Sequence, residues 1–366
     1  MEIGIVGLPL SGKTTVFNTL TKGEAQTGAY SSADAGPNIG VVKVPDRRLE
    51  WLTELCKPRR TTTAEVTYID IAAPTGGLGK SEGPGGRYLS QLSNVDALVH
   101  VVRAFEDERV PHTEGSIDPE RDIVTMNLEL AFSDIGIIQR RLERLKDRLK
   151  GAKPQERGQI SREQTLLDKI KAALESDIPV CEQKLPEQER KAIENFQFLT
   201  AKPMLLLLNI GEERIPESDA LEKGFRQRYG RENCGVTVLC GRIEMELTQL
   251  NDEEALEFRS SLGLWESGLD RMIRLSYSIL GLISFFTIGS DEVKAWTVRH
   301  NTTVQRAAGK VHSDLERGFI RAEVIGFDDL DRCGGMAEAR KQGLLRLEGK
   351  NYIVKDGDVV TVLFNV

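Results

Sequence analysis

Residues 7–14 read Gly7-Leu8-Pro9-Leu10-Ser11-Gly12-Lys13-Thr14 and fit the pattern G-x-x-x-x-G-K-[ST]. The apolar run Ile3-Gly4-Ile5-Val6 before it predicts a short strand. The run Thr14-Thr15-Val16-Phe17-Asn18-Thr19-Leu20 after it predicts a helix. That placement gives each position a physical task. Gly7 and Gly12 let the backbone turn so that successive N–H groups point into one concavity, where they bind phosphate oxygens. The helix N-terminus adds a favourable dipole. Lys13 is the candidate for neutralising β- and γ-oxygens, and the Thr14 hydroxyl for holding Mg²⁺. Leu8, Pro9, Leu10, Ser11, Gly12, Lys13, Thr14 and Thr15 are therefore the candidate phosphate-binding residues.

Outward from the loop, residues 66–71, 97–102, 203–209 and 236–240 form continuous or nearly continuous apolar runs. Such runs predict central strands of a parallel sheet whose two faces are covered by helices. Asp70, at the end of the first of them, is the candidate for the acidic residue that holds Mg²⁺ through water. The run at 203–208 leads into Asn209-Ile210-Gly211-Glu212. In a GTPase this slot carries N-K-x-D, whose aspartate accepts two hydrogen bonds from the guanine edge. Here Ile210 replaces the lysine and Glu212 the aspartate. Losing a matched bidentate pair removes the contact that rejects adenine, so Asn209, Ile210 and Glu212 are candidate base-site residues favouring ATP.

Between the strands, residues 123–199 are rich in Glu, Lys, Arg, Leu and Gln at helical spacing. Ile135, Ile138, Leu142, Leu145 and Leu149 make one apolar stripe, and Leu166, Leu167, Ile170, Ala173 and Leu174 another. A loop with Gly151, Pro154 and Gly158 between them predicts an antiparallel helical hairpin. Residues 253–275 read as helical and close this domain. From about residue 281 the pattern predicts a hairpin (285–287 and 293–298), a helix over 304–315, and strands at 352–354 and 359–364 around an Asp356-Gly357 turn. These elements predict a small α+β domain of β-grasp type. The fold expected is α/β: a mostly parallel P-loop G-domain over 1–122 and 200–278, a helical coiled-coil insertion over 123–199, and the β-grasp domain over 279–366.

Composition sets limits on the rest. The chain has 366 residues, 40% hydrophobic and 29% charged, which supplies real cores and argues against disorder. A formal net charge of −7 excludes a broadly basic nucleic-acid binder and leaves only a local patch. Arg299, Lys310, Arg317, Arg321, Arg332, Arg340, Lys341 and Arg346 are the candidate patch for RNA. The five cysteines are scattered without zinc or redox-motif spacing. No apolar run approaches a membrane span and no basic-then-apolar leader opens the chain, so a cytoplasmic protein is expected, with no membrane or DNA partner.

In order and over nearly its whole length, the chain resembles the Obg-like ATPase family of the YchF type. The stretches that carry the resemblance are GLPLSGKTT (7–15), PNIGVVKVPDRRL (37–49), YIDIAA (68–73), NVDALVHVVRAFED (94–107), SIDPERDIVTMNLELAFSD (116–134), NIGE (209–212), AAGKVHSDLERGFIRAEVI (307–325) and NYIVKDGDVVTVLFNV (351–366). The resemblance implies a C-terminal TGS domain, binding of ATP in preference to GTP, slow hydrolysis and association with ribosomes. It also implies an apolar residue where GTPases carry the water-orienting glutamine, and Pro74 stands there. His112 is the candidate for orienting water instead. The family's D-x-x-G glycine is replaced by Ala73, and the family's usual switch threonine just ahead of Pro37-Asn38 is missing; Ser32 and Asp34 lie nearby, and Asp34 is a candidate Mg²⁺ ligand. Leu10 and Ser11 stand where the family usually carries Asn and Val. Two other readings follow from the same residues: a conventional GTPase, and a nucleotide-gated binding module with negligible turnover.

Overall fold

A computed structural model describes residues 1–23, 37–71, 91–110, 112 and 115–365. The chain opens with β1 (Glu2–Val6), α1 (Lys13–Thr21), β2 (Asn38–Lys43), α2 (Arg47–Cys56), β3 (Arg60–Thr62), β4 (Glu65–Asp70) and β5 (Ala97–Ala104). The helices α3 (Pro119–Gly151), α4 (Pro154–Leu174) and α5 (Glu187–Ile193) follow. Then come β6 (Met204–Ile210), α6 (Ser218–Tyr229), β7 (Cys234–Leu239), α7 (Gly241–Leu247), α8 (Asp252–Ser261) and α9 (Gly268–Ile279). The C-terminal part comprises β8 (Leu282–Ile288), β9 (Glu292–Arg299), α10 (Val304–Val311), α11 (Ser313–Arg317) and β10 (Phe319–Gly326). It ends with α12 (Phe327–Cys333), α13 (Met336–Lys341), β11 (Arg346–Glu348) and β12 (Asp358–Phe364). Among the described residues no helix is long and apolar enough to cross a membrane.

The chain divides into two compact units, Met1–Gly40 with Thr67–Met272, and Val41–Val66 with Ile273–Val366. The first carries the sheet of order β2-β4-β1-β5-β6-β7, in which β1, β4, β5, β6 and β7 pair in parallel. Every residue of β5 is buried, because helices cover both faces of a central strand. The strands end together at their C-terminal edge, which places the residues 7–14 loop, Asp70, Asn209 and the β7–α7 turn side by side, where open parallel sheets bind ligands.

The helical hairpin forms as its stripes require. Asp118 caps α3 by accepting from the Arg121 N–H, Pro119 occupies the first turn, and Glu120 and Asp122 there against Arg148 and Lys150 at the far end suit the helix dipole. Ile138, Leu142, Leu145, Ile160, Leu167 and Ile170 make its core. The turn is tighter than expected: it uses only Ala152 and Lys153, Gly151 ends α3, Pro154 starts α4, and Gly158 is helical. At its base Asp134 accepts from the backbone N–H groups of Leu199 and Thr200, at 2.9 Å each, and so ties the returning chain to α3.

The second unit is a mixed sheet of order β11-β10-β12-β8-β9-β3. The β8–β9 hairpin is as expected, and β12 joins β8 in parallel while pairing antiparallel with β10. Val304 and Ala307 of α10 pack on Ile283, Phe285, Val298, Val324 and Val360, the core of a β-grasp arrangement. Residues 352–354 are not the strand expected there. Ile353 makes a single bridge to Thr303, and the partner of β12 is the distant β10. The expected helix over 304–315 is broken at His312, which caps α11. The division of the chain also differs from expectation. Segment 41–66 belongs with the C-terminal unit, because β3 pairs in parallel with β9 from Arg60 opposite Glu292 to Thr62 opposite Lys294. The boundary then falls at 272/273 rather than 278/279.

His100 sits mid-way along β5, opposite Val6 and Leu206, fully buried. Neither ring nitrogen has a hydrogen-bond partner among the described residues. Burial, and secondarily the charge of Lys13, push its pKa from 6.5 down to about 3. The unfolded chain therefore takes up a proton that the folded chain refuses. The stability from this site is fully present above pH 6.5 and is lost as pH falls from there towards 3. His100→Leu is predicted to move the acid-unfolding midpoint, followed by far-UV circular dichroism, to lower pH; an unchanged midpoint contradicts the burial argument.

Candidate nucleotide-binding site

The loop between β1 and α1 is shaped by two glycines and one strained residue. Gly12 has φ +91°, and a Cβ there would run into the Asn209 side-chain amide. Gly7 has φ +155°, and a Cβ there would meet the Val101 carbonyl. Leu10 adopts φ +63°, a left-handed conformation that costs a non-glycine residue about 1–2 kcal/mol. Asn tolerates that conformation better than Leu. Leu8 turns inward to pack on the core formed by Val6, Leu98 and Met126, while Pro9 is exposed.

Lys13 is buried, and its ammonium donates to the carbonyls of Gly7 and Leu8 at 3.0 Å each, folding over its own loop. Burial lowers its pKa from 10.5 to about 8, against the opposing pull of Asp70. The Thr14 hydroxyl donates to Asp70 Oδ2 at 2.9 Å. Burial raises the Asp70 pKa, offset in part by Thr14, Lys13 and the Asn38 side chain. Thr15 uses its carbonyl to accept from the Thr19 hydroxyl inside α1.

Asn209 does something the sequence did not reveal. Its Nδ2 donates to the Ser11 carbonyl at 3.1 Å, and its Oδ1 accepts the Gly241 N–H at 3.0 Å. One buried amide thus clamps the phosphate loop to the β7–α7 turn. Ile210 is a core residue, packed with Val102, Leu208 and Val238, so its side chain is spent on packing. Glu212 is exposed at the start of a 3₁₀ turn and close enough to Cys240 to help raise that thiol's pKa, after burial. Asn209, Glu212 and the Cys240–Gly241 turn therefore surround one region.

His112 is nearly buried, with Nε2 3.0 Å from Asp122 Oδ2; Arg121 holds the other oxygen of that carboxylate at 2.8 Å. The structure thus places His112 as a partner of the first turn of α3. Asp34, Ala73 and Pro74 lie outside the described residues. Two residues near the loop escaped the sequence reading. Arg103, buried at the end of β5, lies 4.6 Å above the Phe105 ring, and the Phe105 ring edge approaches the position of Gly12. An arginine near the end of the largely apolar run 97–104 was the signal.

The site can be tested for a triphosphate and Mg²⁺ by its unused groups. Among the described residues, the buried Ser11 Oγ and Asp70 Oδ1 have no hydrogen-bond partner. Buried polar atoms of this kind call for a further partner. The Thr14 hydroxyl and the Asp70 carboxylate, 2.9 Å apart, are the hard oxygen donors Mg²⁺ takes, with water and phosphate completing its shell. The buried Lys13 ammonium, hydrogen-bonded to carbonyls, lacks a directly bonded anion to balance its charge. The residues fit both groups. The C-terminal basic residues fit RNA less well than expected: Arg317, Arg332, Arg340, Lys341 and Arg346 each have a carboxylate partner, namely Asp314, Asp329, Glu323, Glu338 and Glu348.

Comparison with known proteins agrees with this geometry. A family model described as 50S ribosome-binding GTPase matches residues 2–138, and a YchF GTPase C-terminal model, described as a protein of unknown function, matches residues 282–365. The chain is 42% identical to the Ribosome-binding ATPase YchF of Bacillus subtilis over the full length of both. It is 41% identical to that of Haemophilus influenzae, covering 100% of this chain and 99% of the relative. The chain belongs to the YchF family. The solved structure of the Schizosaccharomyces pombe YchF GTPase superposes with a TM-score of 0.84 at 32% identity, covering 99% of this chain and 97% of that one. As a YchF protein with an intact phosphate loop, the chain binds nucleotide.

The lowered pKa of Lys13 has a measurable consequence. Triphosphate in the loop favours the ammonium form, so binding above pH 8 takes up as much as one proton and weakens as pH rises. Calorimetry at about pH 8.5, in two buffers of different ionisation heat, is predicted to give different apparent enthalpies; identical enthalpies contradict a lysine neutral before binding.

Proposed function

We propose that this chain binds ATP with Mg²⁺, hydrolyses it slowly and associates with ribosomes in the cytoplasm as a nucleotide-switched regulator of translation. The observation that carries the base assignment is the 209–212 segment. Ile210 stands where a GTPase carries the lysine and is spent on the core, and Glu212 stands where guanine would meet an aspartate. The relatives named ribosome-binding ATPases support the same reading.

The chain's own residues would act by position and charge. The backbone N–H groups between Gly7 and Thr14 receive phosphate oxygens, and the helix α1 dipole reinforces them. Lys13 exchanges its two carbonyl partners for phosphate oxygens and spreads the charge of the transferred group. Thr14 and Asp70 are the residues to hold Mg²⁺, with Asp34 a further candidate ligand; the ion, when bound, would supply charge neutralisation at the phosphates. Asn209 keeps the loop in place while this occurs. The nearly buried His112 is the candidate for orienting water, and Pro74 has no group to do so, which accounts for a low rate. These substitutions at the switch positions also fit a binding module whose output is shape rather than turnover.

A second reading, a conventional GTPase, draws only on the name of the S. pombe YchF GTPase and is not the favoured one. Titration with Mg·ATP and Mg·GTP separates the two: ATP is expected to bind at least about tenfold more tightly. Lys13→Ala is expected to lower single-turnover phosphate release by about 10²-fold or more. Preference for GTP overturns the base assignment, and a rate unchanged in Lys13→Ala overturns the catalytic one.

A further inference from the structure

The helical hairpin carries a groove of about 1120 Å³, lined by side chains of α3, α4, α5 and the turn that follows α5. It lies wholly within the first unit and away from the phosphate loop. Ile137, Arg140, Arg141 and Arg144 recur at the spacing of one face of α3 and meet Arg162, Leu166 and Lys169 from α4. Two carboxylates line it as well, and both are engaged: Glu163 holds Arg141 at 2.7 Å, and Glu189 holds Lys169 at 2.9 Å. Among the described residues no carboxylate pairs with Arg140, Arg144 or Arg162. These three cations face the groove's surroundings uncompensated.

The wider setting reinforces this imbalance. Segment 140–157, the far end of the hairpin, has eight basic and three acidic residues, a local charge of +5 in a chain of net charge −7. The C-terminal arginines, in contrast, are mostly neutralised by carboxylates. The groove also has an aromatic wall. Phe196 lines it half-buried and stacks on the fully enclosed Phe198 with ring centroids 5.3 Å apart, so its ring is held in a fixed orientation. Gln159, Gln188 and Asn195 add amides that can both donate and accept.

We infer that this groove binds single-stranded RNA, with Arg140, Arg144 and Arg162 on successive phosphates and a base stacked on Phe196. The inference deepens the ribosome-association reading and rests on it for the source of the RNA. Arginines four residues apart on a helix lie about 5–6 Å from one another at Cβ, close enough to grip neighbouring phosphates of one strand. Exposed aromatic and amide groups serve bases that are unpaired, whereas duplex RNA withholds its base faces. A lipid headgroup surface would use the cations but not the recessed phenyl ring and the three amides.

The test is fluorescence anisotropy of the full chain with a labelled 12-nucleotide single-stranded RNA over a salt series, beside co-sedimentation with purified ribosomes. The Arg140→Ala/Arg144→Ala/Arg162→Ala variant, whose substitutions are all exposed, is expected to bind the RNA at least about tenfold more weakly. Its slope of log K against log salt should be shallower by about 2, since each phosphate contact on a single strand contributes about 0.7. Phe196→Leu should weaken binding without changing the slope, and neither variant should alter nucleotide hydrolysis without RNA. Equal RNA binding by the triple variant and the wild type overturns the inference, as does a wild-type preference for duplex RNA or anionic vesicles. A wild-type chain that sediments with ribosomes yet ignores the oligonucleotide overturns the groove and leaves ribosome association standing. One that binds the oligonucleotide through the groove but not ribosomes supports the groove and contradicts the association reading.

Discussion

A single buried amide connects the parts of the nucleotide site. Asn209, at the end of β6, donates to the Ser11 carbonyl and accepts from the Gly241 N–H, and it fits only because Gly12 has no side chain. The Ser11 carbonyl lies 198 residues before Asn209 and the Gly241 N–H 32 after it, and among the described residues no other side chain is hydrogen-bonded to both segments. Two unsatisfied backbone groups, each costing about 1–3 kcal/mol if buried, would follow from its loss. Next to the braced Ser11, Leu10 keeps its unfavourable left-handed conformation, a strain that the surrounding structure offsets.

Around that brace the charged groups sit poised rather than satisfied. Lys13 bonds to its own loop, Thr14 to Asp70, and Ser11 and Asp70 each keep a buried oxygen without a partner among the described residues. Burial makes each of these arrangements costly, and a phosphate-bearing ligand with a divalent ion is the chemistry that relieves all of them together. The hairpin adds a second, separate use of charge. Its far end concentrates cations in a chain that is otherwise acidic, so attraction to a polyanion would be confined to one place.

Much of this was legible in the sequence where the governing physics is local. The residues 7–14 loop, the apolar strands and the helical stripes follow from periodicity and from backbone geometry, and Asp70 lies where a strand end should put it. What stayed hidden depends on long-range pairing. Residues 60–62 join β9 across about 230 positions, and no local pattern announces a three-residue strand, so segment 41–66 was assigned to the other unit. Residues 352–354 form an apolar run before an Asp-Gly turn, as a strand would, yet Ile353 makes only a single bridge, to Thr303. Asn209 was read as a base contact because the motif slot suggested it; its work as a clamp depends on two backbone groups that no spacing rule locates.

That difference in role gives the most direct measurement. Calorimetric affinities of the wild type and Asn209→Ala for ATP, for GTP and for inorganic tripolyphosphate separate a clamp from a base reader. A clamp that shapes the phosphate loop predicts a parallel loss for all three, about tenfold or more, including the ligand that has no base. A loss confined to one nucleotide, with tripolyphosphate binding untouched, contradicts the account.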